Sequence, residues 1–206
     1  MVPASSSNLP YFTTTTVQQK SLRRSTAILA PPDQSALYTL WMDAALAQAR
    51  LGLQNGDAPI GSVLLGEDGR VICGAFNTMH TSGNPIAHAE INAFAASVGQ
   101  IREDETLTLV ASLEPCVMCV SAAMQVGVRH IVFGLSAPAD AGKDRVDLPN
   151  TPSASAPSFT GGIRASESRS LFIQWLAMYA LDSARNKQRQ FIEQLMALTA
   201  NTEPVA

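Results

Sequence analysis

Cys116 and Cys119 stand three residues apart behind Pro115, in the run Leu113-Glu114-Pro115-Cys116-Val117-Met118-Cys119, and an apolar stretch continues at helical rhythm to Val126 before Gly127. Proline is tolerated in a first helical turn, where its missing N–H has no partner to lose. A helix starting at Pro115 is therefore expected, with both thiols in its first turn and on one face. There the free backbone N–H groups and the positive end of the helix dipole favour thiolate over thiol, and thiolate is the form that binds metal.

A second helix start lies upstream. Ala87-His88-Ala89-Glu90 follows a loop ended by Asn84-Pro85, and Ile91, Phe94 and Ala95 recur at helical spacing in the segment Ala87 to Val98. One imidazole and two thiolates leave a tetrahedral zinc one ligand short, so a water can take the fourth position and ionise near neutral pH. The Glu90 carboxylate, not needed as a ligand, is then free to carry protons. A structural site would ask for a fourth Cys or His, and Cys73 lies in an apolar run where a small buried hydrophobe is the plainer reading. Singly, each part has another meaning: Cys-x-x-Cys also serves as a redox pair of thioredoxin type, and a lone His-x-Glu occurs by chance. The zinc reading rests on both motifs in order, with Pro115 before the first Cys and a strand-like run before each helix.

Together, His88-Ala89-Glu90 and Pro115-Cys116-Val117-Met118-Cys119 resemble the cytidine and deoxycytidylate deaminase superfamily, whose zinc signature pairs His-x-Glu with Pro-Cys-x-x-Cys. The likeness covers roughly Ser35 to Leu135 and weakens afterwards. It implies an α/β fold of three layers, α-β-α, with a mixed central sheet made of an antiparallel hairpin and parallel strands after it. It further implies zinc held by His88, Cys116 and Cys119, with Glu90 as the catalytic proton carrier. The reaction implied is hydrolytic release of ammonia from a nucleobase or nucleoside of cytosine or guanine type. Adenosine in transfer RNA is the alternative substrate. A silent, zinc-stabilised fold is the bland alternative, and the presence of Glu90 argues against it. The run Ala58-Pro59-Ile60-Gly61-Ser62-Val63 resembles the family's first strand, and Asn77 stands where these enzymes carry an asparagine that bonds the substrate. By itself Asn77 reads equally well as a strand-ending turn residue. Many relatives form dimers, so a homodimer is expected.

The rest of the chain fits this order. Asp33 is a plausible N-cap for a helix over Gln34 to Leu53, with Leu37, Leu40, Trp41, Ala44, Ala45 and Leu51 on one stripe and an end near Asn55-Gly56. Ile60 to Leu65 and Arg70 to Phe76 read as a hairpin turned by Gly66-Glu67-Asp68-Gly69, and Thr106 to Ser112 and Val128 to Phe133 as buried strands. Helix, hairpin, helix, strand, helix, strand implies parallel central strands, helices on both faces and ligands gathered at one sheet edge. A long loop is expected over 135–165. Ala165 to Leu198, without Pro or Gly, reads as a C-terminal helix or two in series, packing through Leu171, Phe172, Trp175, Tyr179, Phe191 and Leu195. The deaminase domain is expected to span 33–200.

Residues Met1 to Pro32 contain no Asp or Glu, hold the run Thr13 to Thr16, and carry Lys20, Arg23 and Arg24. A flexible tail, an organelle transit peptide and an over-long gene start are the open readings. The apolar stretch after Arg23-Arg24 is too short for an export signal, and no apolar run approaches the roughly 20 residues of a membrane span. Three cysteines, two of them committed to metal, suit a reducing compartment, and the cytoplasm is expected. From Asp33 onward eleven Lys and Arg face seventeen Asp and Glu, a net charge of −6 and a poor field for a polyanion. The cluster Arg185, Lys187 and Arg189 reads as a solvated face. The run Ser136-Ala137-Pro138-Ala139-Asp140-Ala141-Gly142 departs from the lysine-threonine-glycine loop associated with transfer-RNA editors. On these grounds a small free substrate is favoured over transfer RNA.

Overall fold

The computed structural model describes residues 33–102, 105–148, 156–179 and 181–200, so the expectations for residues 1–32 lie outside the described residues. Helix α1 (Gln34–Asn55) begins where expected: the Asp33 carboxylate accepts hydrogen bonds from the Ser35 amide and hydroxyl at 3.2 and 2.7 Å. It ends at Gly56, whose φ of 83° closes the last turn.

The buried face of α1 differs from the expected stripe. Met42, Ala45, Leu46, Ala49, Gly52 and Leu53 face inward, whereas Leu40 and Leu51 are 63% and 45% exposed. Apolar residues occur on more than one side of this helix, so periodicity alone does not choose between sides. Close approach does: a Cβ on Gly61 would lie 2.2 Å from the Ala49 amide nitrogen and 2.3 Å from the Ala45 carbonyl oxygen. Only glycine opposite two alanines lets helix and strand backbones approach so closely.

Strands β1 (Gly61–Leu65) and β2 (Val71–Phe76) form the expected antiparallel hairpin, with Gly69 at φ 76° in the turn. Helices α2 (Met79–Ser82) and α3 (Ala89–Ala96) follow, then β3 (Leu107–Leu113), α4 (Val117–Val126) and β4 (Val128–Leu135). Strand β3 runs antiparallel to β1 and parallel to β4, with α4 as the crossover. The sheet order is β2-β1-β3-β4-β5, the last strand being β5 (Ser158–Thr160). This three-residue strand pairs with β4 inside the segment expected to be loop, too short to leave a periodic signal.

Two packed layers cover the sheet. Val63, Leu65, Val110 and Val132 join α1 and the later helices on one face, while Leu64, Leu109 and Ile131 meet Phe94 of α3 and Val120 and Ala123 of α4 on the other. Burial on both faces explains why β1 and β3 read as continuous apolar runs. The C-terminal segment is two helices, α5 (Ala165–Tyr179) and α6 (Asn186–Leu198), joined through a 3-10 turn at Ser183–Arg185. Asp182 makes the break by accepting the Ala184 amide at 2.9 Å, a local bond that competes with a continuing helix. Among the described residues, no helix is long and apolar enough to cross a membrane.

Candidate active site

The N-termini of α3 and α4 converge. His88 is the N-cap of α3 with Glu90 at its second position; Cys116 is the N-cap of α4 and Cys119 lies one turn in. The second helix thus starts two residues later than Pro115 suggested, with Cys116 in extended backbone just outside it. Both thiols still lie where the helix dipole favours negative charge.

Three ligand atoms form a nearly equilateral triangle. His88 Nδ1 is 3.6 Å from Cys116 Sγ and 3.6 Å from Cys119 Sγ, and the two sulfurs are 3.6 Å apart. A tetrahedral zinc with bonds of about 2.3 Å to sulfur and about 2.05 Å to nitrogen requires S···S near 3.8 Å and S···N near 3.5 Å. The triangle fits that ion, and these three residues are positioned to bind a metal. Glu90, 3% exposed, lies beside the triangle and not in it: its Oε2 accepts from Cys119 Sγ at 3.3 Å.

The electrostatics follow from these contacts. Hydrogen bonding with Cys119 and with His88 brings Cys116 down to about 4, while the same sulfur–sulfur contact and burial push Cys119 well up. His88 is raised by its bond with Cys116. Burial raises Glu90 above the usual carboxylate range.

Neighbouring loops are held by buried polar contacts. Asn92 of α3 donates to the Phe76 carbonyl (2.9 Å) and to Thr78 Oγ1 (3.1 Å), tying the end of β2 to the helix that presents His88. Fully buried Asp57 accepts from the His80 amide and the Thr81 hydroxyl, fixing α2. Glu114 accepts from Ser136 Oγ (2.7 Å) and the Ala137 amide (2.9 Å), and the Gly142 amide donates to the Pro115 carbonyl (2.9 Å). A Cβ on Gly142 would meet the Cys116 carbonyl oxygen at 2.7 Å, so the loop carrying Asp140 can lie against the start of α4 only with glycine there.

A cavity of about 260 Å³ opens over the triangle, lined on one side by Asn77, His88, Glu90 and Cys116, with Asp140 from the following loop. All of the expected site residues except fully buried Cys119 line it directly, and Cys119 touches both Cys116 and Glu90. Asn77 is buried, its amide donating to the Ile60 carbonyl at 2.9 Å. Sequence reasoning missed the other wall, formed by Lys187, Gln188 and Phe191 of α6. It also misread part of the basic cluster: Arg185 donates to the Gly56 carbonyl at 2.9 Å, pairs with Asp182 and lies 4.7 Å from the centre of the Tyr179 ring.

The family model for the cytidine and deoxycytidylate deaminase zinc-binding region matches residues 36–135. A solved structure from work on A-to-I editing by tRNA:A34 deaminases at the wobble position of transfer RNA aligns at 30% identity and TM-score 0.55, over 65% of this chain and 99% of that one. The chain belongs to the cytidine and deoxycytidylate deaminase superfamily. Guanine deaminase from Nitrosomonas europaea shares the fold, at 21% identity and TM-score 0.58 over 72% of this chain and 86% of that one. The tRNA(Ile)-lysidine synthase of Deinococcus deserti is 36% identical over 129 residues, 61% of this chain but only 24% of that much longer protein. Zinc is the metal of the matched region, and the His88, Cys116 and Cys119 triangle has the dimensions it needs.

Proposed function

We propose that the chain is a zinc-dependent hydrolytic deaminase of a small nucleobase or nucleoside, of cytosine or guanine type. One observation carries the reaction class: a buried carboxylate, Glu90, stands 3.3 Å from a sulfur of the metal triangle and in the same cavity, yet outside the ligand set. Zinc held by His88, Cys116 and Cys119 would supply Lewis-acid activation of a water. Glu90 takes one proton of that water and delivers it to a ring nitrogen, then takes the second from the hydroxyl left on the ring carbon and passes it to the departing exocyclic amine. Water's oxygen stays on the ring carbon and ammonia leaves. His88, Cys116 and Cys119 hold the metal, Asn77 orients the base by hydrogen bonding, and the walls of the cavity exclude bulk water. The deaminase domain in this reading spans 33–200.

Size and charge support a small substrate. The cavity's 260 Å³ lies at or below the lower end of the roughly 300–1,000 Å³ typical of ligand pockets, and the chain from Asp33 onward carries a net −6. Adenosine in transfer RNA is the second reading, favoured by 30% identity to a solved tRNA:A34 deaminase over nearly all of that chain. Ammonia release measured across guanine, cytosine, cytidine, adenosine and transfer RNA tests both. The proposal expects turnover of a free base or nucleoside. Inosine formation in transfer RNA, with no activity on the small compounds, would replace it with the second reading.

A further inference from the structure

Helix α6 buries Ile192 and Leu195, with Phe191 and Met196 half-buried beside them. Four residues before Ile192, on the same face, stands Gln188. That place on the stripe suits an apolar side chain, and it holds a carboxamide instead. Both polar atoms, Nε2 and Oε1, are buried, and among the described residues neither has a hydrogen-bond partner. A buried donor and a buried acceptor left unpaired together are uncommon and destabilising. Gln188 lines the same cavity as Asn77 and Glu90. Asn77 is buried too.

Resting on the nucleobase reading above, we propose that Gln188 is a specificity-determining residue that reads the hydrogen-bonding edge of the substrate ring. A carboxamide presents one N–H donor and one acceptor side by side in a plane. Phosphate and carboxylate only accept, and would leave Oε1 unpaired; an aliphatic group would leave both atoms unpaired. A planar edge with adjacent donor and acceptor, such as the lactam or amidine edge of a nucleobase, satisfies both at once. Asn77 offers the same chemistry from the end of β2. The reader is held in place before any substrate arrives. Arg185 ties the start of α6 to the Gly56 carbonyl, and Arg169 of α5 donates to Thr199 Oγ1 and, at 3.3 Å, to the Met196 carbonyl near its end. A fixed donor–acceptor pair discriminates strongly, because a ring lacking the matching groups leaves buried atoms unpaired.

The test uses Gln188→Met, which keeps the length and removes both polar atoms, in the zinc-loaded full chain. Its kcat and KM are measured on the panel above, together with zinc content, thermal midpoint and calorimetric binding of the same ring compounds. The expected result is a rise in KM of about tenfold or more on the preferred substrate, the scale of one lost hydrogen bond. A flattened preference across the panel, unchanged zinc content and a midpoint equal to or above wild type complete that result, since two unpaired polar atoms are gone. Unchanged KM and preference would overturn the assignment, and so would a midpoint well below wild type, the mark of a packing role. If the wild type deaminates none of the panel, the proposed function fails and calorimetry alone decides this assignment. Ring binding weakened about tenfold in Gln188→Met supports it, and equal binding or none overturns it.

Discussion

On one side of the cavity, His88, Glu90, Cys116 and Cys119 come from the first turns of α3 and α4, the three ligand atoms 3.6 Å apart and Glu90 3.3 Å from Cys119, beside a glycine-tight loop. On the other, Lys187, Gln188 and Phe191 come from α6, a helix held by its buried Ile192 and Leu195, by Arg185 at its start bonding Gly56, and by Arg169 near its end. The first wall is chemistry fixed by residue type at short spacing. The second is a surface that long-range packing swings into position. A fold built this way keeps its reaction while the far wall changes which ring is admitted.

The sharpest way to separate the walls is to remove a metal ligand. Cys119→Ala or His88→Ala should drop zinc from about one per chain to none and abolish ammonia release. Stability should fall with it, since a metal present at a thousand times its dissociation constant contributes about 4 kcal/mol. Metal analysis and thermal melting read this directly. Asn77→Ala, on the same side but outside the triangle, should keep zinc and lose about tenfold to hundredfold in kcat/KM, as expected for one or two hydrogen bonds to substrate. Steady-state kinetics with metal analysis check it.

Loosening the far wall should act differently. Arg185→Ala removes a bond to the Gly56 carbonyl and a contact over the Tyr179 ring, and should cost about 1–2 kcal/mol in denaturant unfolding. It should raise KM while zinc content stays at one per chain. Zinc loss in this variant would mean that the two walls are not separable. The smallest effect is expected from deleting residues 1–32, which precede the Asp33 cap: activity within about twofold of the full chain. Loss of folding in the shortened protein would move the domain boundary upstream.

What was legible in the sequence follows the same division. Caps, turns and ligands declare themselves by residue type: Asp33, Gly56, Gly69, Gly127 and the two helix starts fall where expected or within two residues. The mixed sheet follows from strand-length continuous apolar runs alternating with helical segments, and burial on both faces produces such runs. The inward side of α1 was not legible, because it is chosen by Gly61 meeting Ala49 and Ala45, 12 and 16 positions away, and not by apolar count. Gln188 gave a faint signal, a polar residue on an apolar stripe, but nothing local says that this stripe borders a cavity whose other wall lies 48 or more residues upstream. Arg185 looked like part of a solvated cluster because its partner, Gly56, is 129 positions away.

In the proposed reaction Glu90 carries protons and does not hold the metal. Glu90→Gln keeps the shape and removes the proton-accepting charge, so zinc content and ammonia release measured on one preparation test it most directly. The expected result is about one zinc per chain, a thermal midpoint near wild type, and turnover reduced by about 10²- to 10⁴-fold on the best substrate of the panel. Turnover near wild type, or loss of zinc from the variant, would contradict it.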